Sequence, residues 1–97
     1  MVIFVLDYVP SCDSNEQGAL IRAKILKVLK KGDIALLDFS GVTNVTSSFV
    51  NSSLVELIPD YDVKSIKARI QIRKANRQIG NMIKDRISSE EQRQNAV

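Results

Sequence analysis

Four hydroxyls crowd a short stretch between two apolar runs: Thr43, Thr46, Ser47 and Ser48 lie after ALLDF at 35–39 and before FV at 49–50. At the start of a helix, a Ser or Thr oxygen accepts a hydrogen bond from a first-turn amide, and one cap accounts for one hydroxyl. With Thr46 or Ser47 as that cap, the pattern alone favours plain capping, and Ser47 or Ser48 is the position where a phosphoryl group could be added. A helix start tolerates such a group through its dipole, while the surface gains about two negative charges. Asp38, at the end of the apolar run, and Asp7, which ends MVIFVL, are the nearby acids. Paired carboxylates at neighbouring strand ends can hold magnesium or accept a phosphoryl group.

A second cluster is basic. Residues 64–97 carry nine Lys/Arg against three acids, whereas residues 1–63 carry five against eight. Lys67, Arg69, Arg73, Lys74 and Arg77 concentrate that charge. Such a patch can neutralise nucleic-acid phosphates, block the pairing of a strand edge, or dock an acidic protein. No aromatic residue is interleaved with it, so nucleic-acid binding is the lesser reading and a solvated or protein-docking face the greater.

These residues must be carried by elements, and the hydrophobic pattern supplies them. The near-continuous apolar run at 2–9 predicts a buried strand ended by Pro10. Ser14-Asn15-Glu16-Gln17 has the form of a capping box and predicts a helix to Lys31, closed by Gly32. DIALLDF at 33–39 predicts a second buried strand. A second helix is expected over 49–58, with Phe49, Val50, Leu54, Leu57 and Ile58 as its apolar stripe. IKARIQI at 66–72 alternates and predicts a half-buried strand near a sheet edge, able to pair edge to edge in a homodimer. Asn76 is expected to cap a third helix that packs Ile79, Met82, Ile83 and Ile87. The order β-α-β-α-β-α predicts a small α/β sandwich, a mostly parallel sheet with helices packed on it. Residues 1–88 form one domain in this reading, and 89–97 a polar C-terminal tail.

Three β-α units are too few for a receiver-type phosphoryl acceptor, which has five. Asp38 is therefore read as an acceptor for amides of the loop it enters. The absences point the same way. The chain has no His, one Cys and four scattered glycines. Triads, His-containing zinc sites, thiolate clusters and phosphate-cradling glycine loops are excluded. No enzyme activity and no cofactor are expected. A lone Cys12 suits a reducing compartment, and no run approaches the roughly 20 residues of a membrane span, so a cytoplasmic protein is expected.

LDFSGVTNVTSSF at 37–49 resembles the signature of STAS domains, the family of bacterial anti-sigma-factor antagonists. There an acidic strand end leads through a turn to Asp-Ser-Ser-Gly at a helix start. Gly18, DFSGV and SSFVN resemble more closely a divergent set, the STAS-like domains of unknown function, over roughly residues 14–88. The resemblance places Thr46 at the motif's Asp, Ser47 at its first Ser, Ser48 at the phosphorylated Ser and Phe49 at the Gly. It implies a regulatory interaction module whose partner is a protein, a kinase or ATPase of the histidine-kinase-like fold. The turn and helix at 40–58 would dock it, through Asp38, Ser40, Thr46, Ser47, Ser48 and Asn51, with phosphorylation at Ser48 or Ser47 as the switch.

Overall fold

Three short parallel strands and four helices build the chain, seen here in a computed structural model that describes residues 1–95. Strand β1 (Val2–Phe4) pairs with the central β2 (Ala35–Asp38), which pairs in turn with β3 (Ile70–Arg73). Ile3, Leu37 and Ile72 stand in one row across the sheet, and Phe4, Asp38 and Arg73 in the next. The α/β architecture and the parallel sheet agree with the sequence pattern.

Helix α1 (Asn15–Lys30) begins at the expected capping box: Ser14 Oγ accepts from Gln17 N, and Gln17 Oε1 accepts from Ser14 N. It ends at Lys31, beyond which Gly32 takes φ +78°, the left-handed conformation that a glycine reaches without strain. Ile21, Ile25, Val28 and Leu29 are buried along its inner stripe.

Three elements differ from expectation. The first strand is three residues long, not eight. β2 leaves the ladder after Asp38, so nothing remains for Val5 to pair with, and Val5–Asp7 coils into a 3-10 turn that still buries Val5. The second helix, α2 (Ser47–Ser53), stops early and resumes as a 3-10 turn at Val55–Leu57. Ser52 and Ser53 hydroxyls donate back to the Ser48 and Phe49 carbonyls, a bond pattern that bends helices.

The largest correction concerns 66–72. Residues 63–69 form helix α3 (Val63–Arg69), capped by Asp62, whose carboxylate accepts from Ser65 N at 2.8 Å. Ile66 and Ile70 are four apart, a spacing that serves a strand and a helix equally. Ala68, which an inward strand position would bury, is exposed. Only Ile70–Arg73 is strand, and β3 is indeed a sheet edge.

Asn76 caps α4 (Arg77–Asn95), its Oδ1 accepting from Ile79 N at 2.9 Å. α4 continues through the polar segment after Ser88 as far as Asn95; Ala96 and Val97, the last of that segment, lie outside the described residues.

The core lies between the helices and one face of the sheet, where Ile3, Ala35, Leu37 and Ile70 are buried. The opposite face carries Val2 (37% exposed), Phe4 (47%), Gln71 and Arg73 in the open. Among the described residues, no helix is long and apolar enough to cross a membrane.

Candidate functional site

The chain between β2 and α2 is held from several sides. Asp38 accepts hydrogen bonds from the amide (2.8 Å) and the hydroxyl (2.5 Å) of Ser40, closing the turn on itself. Those two bonds, with Lys74 and Arg73 further off, keep the Asp38 carboxyl below the usual carboxylate range. Asp38 thus serves the loop it enters. Asp7 lies in the exposed 3-10 turn after β1, and no cluster of three or more metal-ligating side chains occurs among the described residues.

Further along, other elements take over. Asn76 Nδ2 donates to the Thr43 carbonyl at 2.8 Å. Gln78, on the first turn of α4, clamps Val45 by both backbone groups: Oε1 accepts from its amide at 3.0 Å and Nε2 donates to its carbonyl at 2.9 Å. Thr46 N donates to the Cys12 carbonyl at 3.1 Å. Cys12 itself is buried, and desolvation, with Asp13 adding, pushes its thiol up to about 11, so it is an unreactive core residue at neutral pH.

Thr46 is the cap of α2, its Oγ1 accepting from Phe49 N at 3.2 Å. Phe49 turns into the core at 1% exposed, so its bulk does not cover the helix start. Ser47 and Ser48 are exposed, and neither hydroxyl makes a hydrogen bond to the described residues. Of the residues expected to bind a partner, Ser40, Ser47 and Ser48 are on the surface and Thr46 is half-buried. Asn51 is half-buried and its Oδ1 accepts from Arg86 Nε of α4 at 2.9 Å.

α2 is seated on α1 at an unusually close crossing. A Cβ at Gly18 would fall 2.6 Å from Ser52 Cβ and 2.7 Å from the Phe49 carbonyl oxygen, so only glycine fits. Ser52 Oγ also lies 2.8 Å from Asn15 Oδ1, its one hydrogen shared between that oxygen and the Ser48 carbonyl, and Arg22 Nη1 reaches both the Ser52 carbonyl and Glu56, each at 2.7 Å. Beside this crossing opens a polar cleft between the two helices, lined by Asn15, Glu16, Arg22, Asn51 and Glu56.

The basic residues are spread over α3, β3, the turn after it and the start of α4. Lys67 and Arg69 belong to α3, not to an edge strand. Lys67 reaches Glu91 at 3.5 Å, and Arg69 Nη2 donates to the Leu29 and Asp33 carbonyls, closing the end of α1. Arg73 is on the open sheet face, Lys74 follows at φ +58°, and Arg77 begins α4.

Gln78, Asn76, Arg22 and Arg86 were not foreseen as parts of this site. Their partners are backbone atoms or side chains 33 to 35 residues away for Asn76, Gln78 and Arg86. A linear pattern gives no sign of such pairs. Gly18 had a sign, since a glycine inside an otherwise good helix asks for a packing reason.

No curated protein and no solved structure matches the chain. A family model, described as a STAS-like domain of unknown function, matches residues 17–79. That span runs from the first turn of α1 through β2, the hydroxyl turn, α2, α3 and β3 to the first turn of α4, and on it the chain belongs to the family of STAS-like domains.

Proposed function

We propose that the protein is a regulatory interaction module that docks a protein partner through the turn and helix at 40–58, with Ser48 as the residue that switches docking. One observation carries the reading. The backbone of the turn is fixed by Ser40–Asp38, Asn76, Gln78 and the Cys12 carbonyl, while the two serines that follow stand exposed with free hydroxyls among the described residues. A surface held rigid before binding loses little freedom on binding, which favours recognition. Phosphorylation of Ser48 would add a charge of about −1.5 to −2 to that surface without breaking a bond of the fold.

The position of Ser48 in STAS register supports a kinase or ATPase of the histidine-kinase-like fold as the partner. The cleft between α1 and α2 adjoins the same face through Asn51 and Glu56, and extends the docking surface along both helices.

The test is binding to an ATPase of that fold encoded beside this protein, using the native chain, Ser48→Ala and Ser48→Asp. Docking that survives in the alanine variant and weakens at least about tenfold in the aspartate variant supports the switch. Equal affinity in all three removes it. Loss of binding on Glu56→Lys, with the fold intact by circular dichroism, would tie docking to the α1–α2 surface.

A further inference from the structure

A groove runs along the inner side of β3, where α4 does not close over the sheet. α4 rests on α2 and on the 3-10 turn that follows it, with Ile79 and Ile87 buried and Arg86 bonded to Asn51. The edge of the sheet is left partly uncovered. A cavity of about 470 Å³ opens there, walled by Ile66, Ile70, Ile72, Gly80, Ile83 and Ile87. Its size falls within the range of small-molecule sites, and its walls are almost wholly aliphatic.

Gly80 is the telling residue. It sits in the first turn of α4, its amide donating to the Asn76 carbonyl, where glycine still costs the helix something relative to alanine but less than the roughly 0.5–1 kcal/mol of a mid-helix position. Its φ is not positive, and a Cβ placed on it meets nothing within 4 Å. Neither backbone conformation nor packing requires a glycine here. Its effect is to widen the groove.

The rim is cationic. Lys84 follows Gly80 by four residues and Ser88 follows Lys84 by four, so all three fall on one stripe of α4. Lys84 is exposed and has no acidic partner within salt-bridge distance among the described residues. Lys67, on the α3 side, is held only loosely by Glu91 at 3.5 Å. An ammonium and a hydroxyl one helical turn apart suit the two oxygens of a single carboxylate.

We propose that this groove binds a single-chain fatty carboxylate, the alkyl chain lying along Ile66, Ile70 and Ile83 over Gly80 and the head group meeting Lys84 and Ser88. The site shares only Leu54 with the segment 40–58, at its inner wall, and uses none of the hydroxyls of the proposed docking surface.

Dodecanoate, kept below its critical micelle concentration, is titrated into the isotope-labelled full chain and followed by amide chemical shifts and by calorimetry. The expected result is saturable one-to-one binding with shifts centred on Ile66, Ile70, Gly80 and Lys84. Dodecanol should bind at least about tenfold more weakly, as should dodecanoate to Lys84→Glu. Gly80→Leu should abolish binding while its melting temperature stays at or above that of the native chain. No saturable binding, undiminished binding by Gly80→Leu, or shifts confined to Val2, Phe4 and Leu36 on the open sheet face would overturn the proposal. So would binding of an acidic amphipathic peptide to a groove that ignores dodecanoate.

Discussion

Two glycines lie inside helices of this protein, and their surroundings are opposite. Gly18 in α1 is where α2 comes closest, with Ser52 and the Phe49 carbonyl on top of it. Gly80 in α4 looks into open space. The first lets two helices approach until the Ser52 hydroxyl meets the Asn15 side chain and Arg22 meets the Ser52 carbonyl. The second lowers the stability of its own helix and returns nothing to the fold. The family match also divides them, since Gly18 falls within residues 17–79 and Gly80 just outside. The α1–α2 crossing, which positions Ser47 and Ser48, lies within the matched span, whereas the end of that span divides the groove, with Ile66, Ile70 and Ile72 inside it and Gly80, Ile83 and Ile87 beyond.

Substitution should expose this difference most plainly at Gly18. Gly18→Ala forces a methyl group against backbone as well as side-chain atoms, so the helices must separate, at a cost of about 3 kcal/mol measured by urea unfolding. Ser52→Gly in the same chain should restore only part of that loss, because the Phe49 carbonyl oxygen still stands 2.7 Å from the new Cβ. Full rescue would show that the side-chain clash alone mattered.

Gly80→Ala should act in the opposite direction, raising stability by up to about 0.5 kcal/mol through helix propensity alone, since the position is in the first turn of α4. A loss of stability there would mean that the groove closes on Gly80 in solution, and the contrast would collapse.

Smaller effects belong to the turn between the two regions. The Asp38 carboxyl titrates below the usual carboxylate range in the folded chain, chiefly through the bonds from Ser40. Its contribution is present above the unfolded pKa and is lost as pH falls through the folded one. The melting temperature should therefore drop as pH goes below about 4, and Asp38→Asn should flatten that slope. Asp33 and Asp62, held down by the Ile34 and Ser65 amides, share the same window, so the slope should shrink without vanishing.

Least affected should be Ser48→Ala, within about 0.5 kcal/mol of the native chain, since its hydroxyl is exposed and unbonded among the described residues. Thr46→Ala removes the α2 cap and should cost about 1 kcal/mol. If the two substitutions cost the same, Ser48 has a structural role and the switch loses its main support.

Much of the local chemistry was legible in the sequence where a residue's partner lay within one helical turn, though not the Asp62 cap of α3 or the bonds from the Ser52 and Ser53 hydroxyls. The Ser14–Gln17 box, the Asn76 cap, the stripes of α1 and α4, and the acceptor role of Asp38 all rest on bonds of that kind. Residues 66–69 were misread because Ile66 and Ile70 satisfy both periodicities, and the deciding fact was Asp62 capping a helix three residues earlier than the alternation begins. The turn's rigidity was invisible for another reason. Gln78 fixes Val45 only after the sheet has brought the start of α4 beside the end of β2. The basic residues are close in sequence, but they are carried by different elements. Folding directs Arg69 to the end of α1 and Lys67 to α4.

The strand order has a consequence for how the molecule is made. β2 is the middle strand, and both neighbours are parallel to it, so no two strands are joined by a hairpin. Val2 must wait for Leu36, and Leu36 for Gln71. During synthesis the first ladder can close once Asp38 has left the ribosome, but the second has no partner until Arg73 follows. Over that interval β2 presents a bare apolar edge, Ala35 to Leu37, to whatever is nearby. A nascent chain stalled between those points is the form of this protein most open to chaperones and to aggregation.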